Sequence, residues 1–198
     1  PTTTVTTLPT TTVTTLPTTT VTTLPTTTVT TLAPLVMSAH GLGAARLGDP
    51  YDDTVAAITD RLGRPDHDSG WIRSDSPQVG TCPGTIVRVV QWHSLRLFFS
   101  DGPTEFGEDI RHFFYYNQSI VDADEQIDLA TEQGIRLGST VRALRRVYGE
   151  SLTIDDSVQF GISFMVDTGG SSLLSGTLTS ASPEGLVTSI GGGFGCGG

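Results

Sequence analysis

The sequence predicts an α+β fold of two tandem modules, each a short helix followed by a three- or four-stranded antiparallel sheet, preceded by a disordered Thr/Pro repeat tail. Three observations carry this. A short helical pattern bounded by glycines occurs twice, after Arg46-Leu47-Gly48 and after Arg136-Leu137-Gly138. Each is followed by runs of β-branched and aromatic residues separated by turn residues. Ahead of both, residues 1–32 are four copies of PTTTVTTL, closed by Ala33 and Pro34. The expected organisation is a stalk over residues 1–34, a first module over 35–118, a linker over 119–133 and a second module over 134–198.

In the tail, proline at every eighth position breaks any helix, and the repeat has too little apolar surface to offset the ordering of the chain. Threonine with proline favours an extended chain, and such tracts are the usual composition of O-glycosylated stalks. At roughly 3.1 Å per residue the extended repeat reaches about 100 Å. It reads as a spacer holding a domain away from a surface, or as an inert linker made by repeat slippage; the two are compatible. Stacking into a β-solenoid is disfavoured, because no glycine or asparagine marks a corner. The chain opens on Pro1 rather than Met, so it is read as a fragment or a processed product.

All charge lies beyond residue 45: 11 basic groups, every one an arginine, against 21 acidic ones, for a net charge of -10. That balance excludes nucleic acid or anionic lipid as the main partner, because neutralising phosphate needs a basic face. No apolar run approaches the ~20 residues of a membrane span.

The helices come next. In the first copy Asp49 is a good N-cap, Pro50 fits the first helical position and Asp52 sits in the first turn. In the second, Ser139 caps directly ahead of Thr140-Val141. Val55, Ile58 and Leu62 match Val141, Leu144 and Tyr148 on one helical face, and Gly63 and Gly149 stop the helices. The glycine-to-glycine spacing differs by about one helical turn, placed ahead of Val55 by this alignment. Strands are expected over 85–92, 95–100 and 111–117, then over 158–167, 172–178 and 186–190. Residues 119–133 link the halves and add, at most, a short helix.

Two cysteines, Cys82 and Cys196, lie far apart with no CxxC and no histidine cluster, which argues against a zinc or redox site. They read as one disulfide pinning the C-terminal segment to the first half, or as two unrelated buried thiols. With the stalk, a bridge points to an extracellular or cell-wall location.

The RLG lead, the pattern LGSTVxxLRxxYG at 137–149 and the meander after it resemble the tandem modules of the β-lactamase-inhibitor-like fold. They are also similar to the single module of outer-membrane-assembly lipoproteins of the SmpA/OmlA type. The Gly41-Leu42-Gly43 opening, the GTCPGT segment at 80–85 and the all-arginine composition look like small exported actinobacterial proteins of undefined function. The resemblance implies a two-module helix-and-meander fold over residues 40–198. The inhibitor-like folds usually carry a disulfide within each repeat, whereas the one bridge possible here joins the halves. No binding residue is carried over from them.

Chemistry is sparse. His40, His67, His93 and His112 show no paired spacing; His93 and His112, in or beside expected strand regions, could face each other across a sheet, but surface or core-edge histidines are the favoured reading. Gly41-Leu42-Gly43 starts like a dinucleotide fingerprint, but Arg46 takes the sixth position and no strand precedes it. Asp122, Asp124, Asp128 and Glu132 resemble a calcium loop with Ile127 where glycine belongs. Neither GxSxG nor a cysteine beside a histidine is present, so no nucleophilic apparatus is visible. Asn117-Gln118-Ser119 is a glycosylation sequon. No metal, cofactor or enzymatic activity is expected.

What remains is surface. Strict alternation places Phe113 and Tyr115 on one sheet face, Phe114 and Tyr116 on the other. One face packs on the helix, and the other either exposes aromatic contact anchors or is covered by the partner half. Trp92, Phe114 and Tyr116 are the candidate binding residues. The expected function is a non-enzymatic binding module recognising a protein or envelope polymer. The alternatives are a cell-envelope hydrolase using Asp101 and Glu105, and a purely structural spacer domain.

Overall fold

The computed structural model describes Thr2 and residues 35–108, 110–120, 126–156, 161–170 and 173–197. The expected stalk apart from Thr2, and Asp122 and Asp124 of the calcium-like loop, lie outside the described residues. The fold set out below belongs to the unit Leu32–Gly198; Pro1–Thr31 is a separate unit.

Both helices are introduced by the same turn. In Arg46-Leu47-Gly48-Asp49 and Arg136-Leu137-Gly138-Ser139 the fourth amide donates to the arginine carbonyl, at 3.0 Å in each. Gly48 (φ 97°) and Gly138 (φ 80°) supply the positive φ that the third position of such a turn asks for. The fourth side chain then folds back: Asp49 Oδ2 accepts from the Arg46 amide at 2.7 Å, and Ser139 Oγ from the Arg136 amide at 3.0 Å. Neither residue is therefore the helix cap that the sequence leads one to expect. Pro50 occupies the cap position of α1 (Tyr51–Leu62) without a side-chain bond. Thr140 caps α2 (Val141–Tyr148), its Oγ1 accepting from the Ala143 amide at 3.2 Å.

Each lead is stitched to its own half by matching backbone bonds. Gly48 N–H donates to Phe113 O at 2.7 Å, Phe113 N–H to Asp49 O at 2.9 Å, and Tyr51 N–H to Arg111 O at 2.9 Å. In the second half Gly138 N–H donates to Val187 O at 2.8 Å, Val187 N–H to Ser139 O at 2.9 Å, and Val141 N–H to Gly185 O at 2.8 Å. The helix starts thus correspond. Since α1 has 12 residues and α2 has 8, the extra turn lies at the far end of α1 and not ahead of Val55.

The strands form two sheets. The small one holds β1 (Val36–Ser38), β2 (Gly41–Leu42), β3 (Ala45–Arg46) and β9 (Ala130–Thr131), in the order β3-β2-β1-β9, with β9 parallel to β1. The described part of the linker therefore contributes a strand, not a helix. Among the described residues the large antiparallel sheet has nine strands. From the first half come β4 (His67–Asp68), β5 (Ile72–Arg73), β6 (Ile86–Trp92), β7 (Leu95–Ser100) and β8 (His112–Ser119). From the second come β10 (Leu152–Asp155), β11 (Ser163–Asp167), β12 (Leu173–Leu178) and β13 (Val187–Gly193). The order is β10-β11-β12-β13-β8-β7-β6-β4, with β5 also on β6. The halves meet edge to edge, β13 against β8, and share one sheet.

Both helices and the small sheet pack on one face of this sheet. There Ile58, Val141, Leu144, Met37 and Leu42 join Trp92, Leu97, Phe99, Phe113, Tyr116 and Ile190 in a single buried cluster. Burying side chains of this size contributes ~1.5–3 kcal/mol each, offset by the entropy of ordering them. Residues 126–127 are docked by Ser94, whose Oγ accepts from the Ile127 amide at 3.1 Å and from Gln118 Nε2 at 3.2 Å. No described helix is long and apolar enough to cross a membrane.

Candidate binding face

A β-bulge decides where the aromatic residues point. Leu97 pairs with Tyr116 and Phe98 with Tyr115, but Phe99 pairs with Phe113, so Phe114 is the extra residue. The alternation slips by one. Phe113 and Tyr116 share the helix-bearing face, their ring centroids 6.3 Å apart, while Phe114 and Tyr115 turn to the other. Strict alternation, which pairs Phe114 with Tyr116, fails at this point.

The three residues expected to bind are all core. Trp92 is 0 % exposed and its indole N–H donates to Gly63 O at 2.9 Å. Tyr116, also 0 % exposed, donates its hydroxyl to Ser38 O at 2.8 Å across to the small sheet. Burial pushes its phenol far above the usual range. Its ring lies against Gly192, where an added Cβ would come within 2.5 Å of it. Phe114 is 1 % exposed and clusters with Cys82, Val87, Phe98 and Phe106. A contact anchor has to be reachable by its partner, and these are not.

Phe114 is covered because the C-terminal segment crosses it. The Cys82–Cys196 disulfide is formed, and Thr81 and Gly197 exchange two backbone bonds beside it, at 2.7 and 2.9 Å. Gly195 lies against the Tyr115 ring, whose hydroxyl accepts from Asn117 Nδ2 at 3.2 Å. Burial raises the Tyr115 pKa as well. The sequon asparagine thus sits mid-strand, its amide engaged with Tyr115.

The other expected chemistry is dispersed. Asp101 Oδ1 accepts from the Thr85 and Ile86 amides at 2.8 and 2.9 Å, which makes its carboxylate a loop tie. Glu105 lines a cavity of about 240 Å³ with Phe106, Phe114 and Phe194, where it is the one acid among the described residues. His93 and His112 do not face each other. His93 lies in the β6–β7 turn with φ 47°, its amide donating to Asp66, whereas His112 begins β8 opposite Ser100. His112 is buried, with Nδ1 2.7 Å from Ile110 O and Nε2 2.6 Å from Thr104 Oγ1. Since a carbonyl only accepts, Nδ1 carries the proton, and the ring latches the 104–110 loop. Asp128, from the calcium-like loop, pairs with Arg136 at 2.7 Å. Among the described residues no group of three or more His, Cys, Asp or Glu is placed to hold a metal.

Among the described residues the face opposite the helices is covered only in part, by the C-terminal segment and loop 74–82. One lateral row crosses it through eight strands in register: His67, Gln91, Arg96, Asn117, Gly191, Ser175, Met165 and Thr153. It is polar in the first half and small in the second, with Met165 44 % exposed. A neighbouring row carries Ser163, Thr177, Ser189 and Ser119. Where β12 meets β13, Thr177 Oγ1 lies 2.7 Å from Thr188 Oγ1 and 2.8 Å from Ser189 Oγ. At the first-half end, loop 74–82 walls off a groove of about 420 Å³ against β4, β6 and β7. A second cavity, of about 340 Å³, lies under the small sheet and is lined by His40, Arg46, Glu132 and Tyr148 among others. Tyr148 donates there to Thr131 or Gln133, and burial raises its pKa.

The sequence did carry one signal for this face. Arg96 stands between Leu95 and Leu97, both wholly buried, so alternation alone turns it outward. His67 lies on a two-residue strand, too short to show any period. Compared with protein-family models, with curated proteins and with solved structures, the chain matches none.

Proposed function

We propose that the protein is an exported or cell-surface binding module without enzymatic activity, displayed on its Thr/Pro repeat, that recognises a protein or envelope polymer through the open sheet face. The observation that carries this is the asymmetry of the large sheet. Both helices and the small sheet cover one face, while on the other eight strands bring one row of residues into register, with a side chain at every position but Gly191. We also infer two copies of a single helix-and-meander module. The identical RLG turns, the matched stitching bonds and the mirrored strand order on either side of the β13–β8 seam support it, and with it the resemblance to the inhibitor-like fold.

The recognition surface of this reading is hydroxyl- and amide-rich, not the aromatic one that the sequence suggests. The hydrolase alternative is less well supported, because Asp101 is tied to two amides and the Glu105 cavity shows no second acid among the described residues. A spacer domain needs no groove on its free face. The disulfide and the composition of the repeat favour a place outside the cytoplasm.

The test is co-sedimentation with purified cell-wall polymer and capture from an envelope extract. Met165→Arg puts a bulky charge into the row one strand in from its β10 end and abolishes retention. Arg142→Ala, in an exposed ion pair with Glu184 on α2, leaves it unchanged. Equal retention of both variants, or none by the wild type, defeats the reading.

A further inference from the structure

The groove beside loop 74–82 has a specific chemistry. Val89 and Phe98 make an apolar floor, and Val79 from the loop forms one wall. Gln78, Gln91 and His67 bring hydrogen-bonding groups to the rim, and Arg96 is the arginine of the lining. The Arg96 guanidinium is held by one corner: Nε donates to Gln91 Oε1 at 3.1 Å, and Gln91 Nε2 donates in turn to His93 O at 2.8 Å. Among the described residues Arg96 makes no ion pair. Among the described residues the lining contains one carboxylate, Asp68, and it is spent elsewhere. It takes a two-pronged bond from Arg88 at 2.5 and 2.7 Å, with the pair lying toward the helix-bearing face, and a third from the Gly70 amide at 3.0 Å.

In a chain of net charge -10, this leaves an oriented, uncompensated cation above an apolar floor. The disulfide and the Thr81–Gly197 bridge anchor the loop at its end, and Ser69 Oγ accepts from the Val89 amide at 2.9 Å. The volume suits a small ligand or the last residues of a peptide. A guanidinium fixed at Nε keeps both terminal nitrogens for a planar two-oxygen acceptor.

We propose that this groove binds a carboxylate carried on an apolar body, with the carboxylate on Arg96 and the apolar part against Phe98 and Val89. Two sources present that chemistry, a free aromatic or aliphatic acid and the C-terminal residue of a polypeptide. The proposal deepens the reading of the open face and rests on it.

Titration of the ¹⁵N-labelled protein with N-acetyl-phenylalanine, its amide, and a hexapeptide ending in a free phenylalanine carboxylate tests this. The acid shifts the amides of Val89, Gln91 and Phe98 and saturates, and the amide binds at least about tenfold more weakly. Arg96→Gln brings the acid to the affinity of the amide, while Arg142→Gln changes nothing. Tighter binding of the hexapeptide than of the acid assigns the site to polypeptide ends; equal binding assigns it to free acids. The wild-type comparison of acid with amide decides without any variant, and the dispersion of the R96Q spectrum reports whether that variant folds. Equal binding of acid and amide, failure to saturate, or unchanged binding by R96Q overturns the proposal. The two readings fail separately. Envelope retention that Met165→Arg destroys, with no acid bound by the wild type, overturns the groove alone. Acid bound without any envelope retention overturns the envelope partner alone.

Discussion

Tyr115 and Tyr116 are adjacent in sequence and, like alternating residues on any strand, lie on opposite faces; the bulge at Phe114 decides which face each takes. That single inserted residue converts the expected aromatic recognition face into core on one side and a strapped cluster on the other. Alternation does read Arg96 correctly, but the register that brings Gln91 beside it is a tertiary fact. Asp68 and Arg88 show the same dependence. Their bond spans β4 and β6, and the hydrogen bonds from Arg88 hold the Asp68 carboxyl below its usual range, against the partial burial that raises it. A depressed folded-state pKa stabilises fully above the ordinary aspartate range and ceases to do so as pH falls through the folded value. Urea unfolding of wild type and Asp68→Asn across an acid pH series therefore shows an advantage for wild type near neutrality that shrinks on acidification. A gap constant with pH contradicts this account.

Elements were legible in proportion to their length. The runs at β6, β7 and β12 were recognisable from β-branched and aromatic content, and both helices from their spacing and terminal glycines. The strands β2 to β5 and β9 have two residues each, fewer than one full alternation, so no pattern can mark them. The extra helical turn is visible in the glycine spacing, but the sequence puts it at the wrong end, because Asp49 looks like a cap until its carboxylate is seen bonded back to Arg46. The twin turns also allow a differential prediction. Gly138→Ala meets nothing within 4 Å and costs about 1–2 kcal/mol through its positive φ alone. Gly48→Ala carries the same strain and drives a methyl to 2.5 Å from Phe106 O, so it destabilises clearly more. Thermal denaturation ranks them; equal losses would mean the Phe106 loop yields freely.

Across the whole molecule the described residues join the halves through the shared buried cluster, the β13–β8 seam and the Cys82–Cys196 bridge, which closes a sequence separation of 114 residues. Cys82→Ser/Cys196→Ser lowers unfolding free energy by at most about 4–5 kcal/mol in the chain-entropy picture. Chemical denaturation of oxidised wild type against the double variant measures it. No loss at all would mean that the Thr81–Gly197 bonds hold the segment unaided. The seam has a further consequence for a chain that emerges from its N-terminal end. β8, the aromatic-rich HFFYYNQS, is synthesised well before its partner β13, and until then its outer edge is unpaired. An open edge of that composition is a template for pairing with a neighbouring nascent chain. The late glycines of β13, slim enough to slide in beside Tyr115 and Tyr116, close it. A nascent chain halted before β13 is therefore the species most prone to aggregate, and the last strand acts as the molecule's own edge guard.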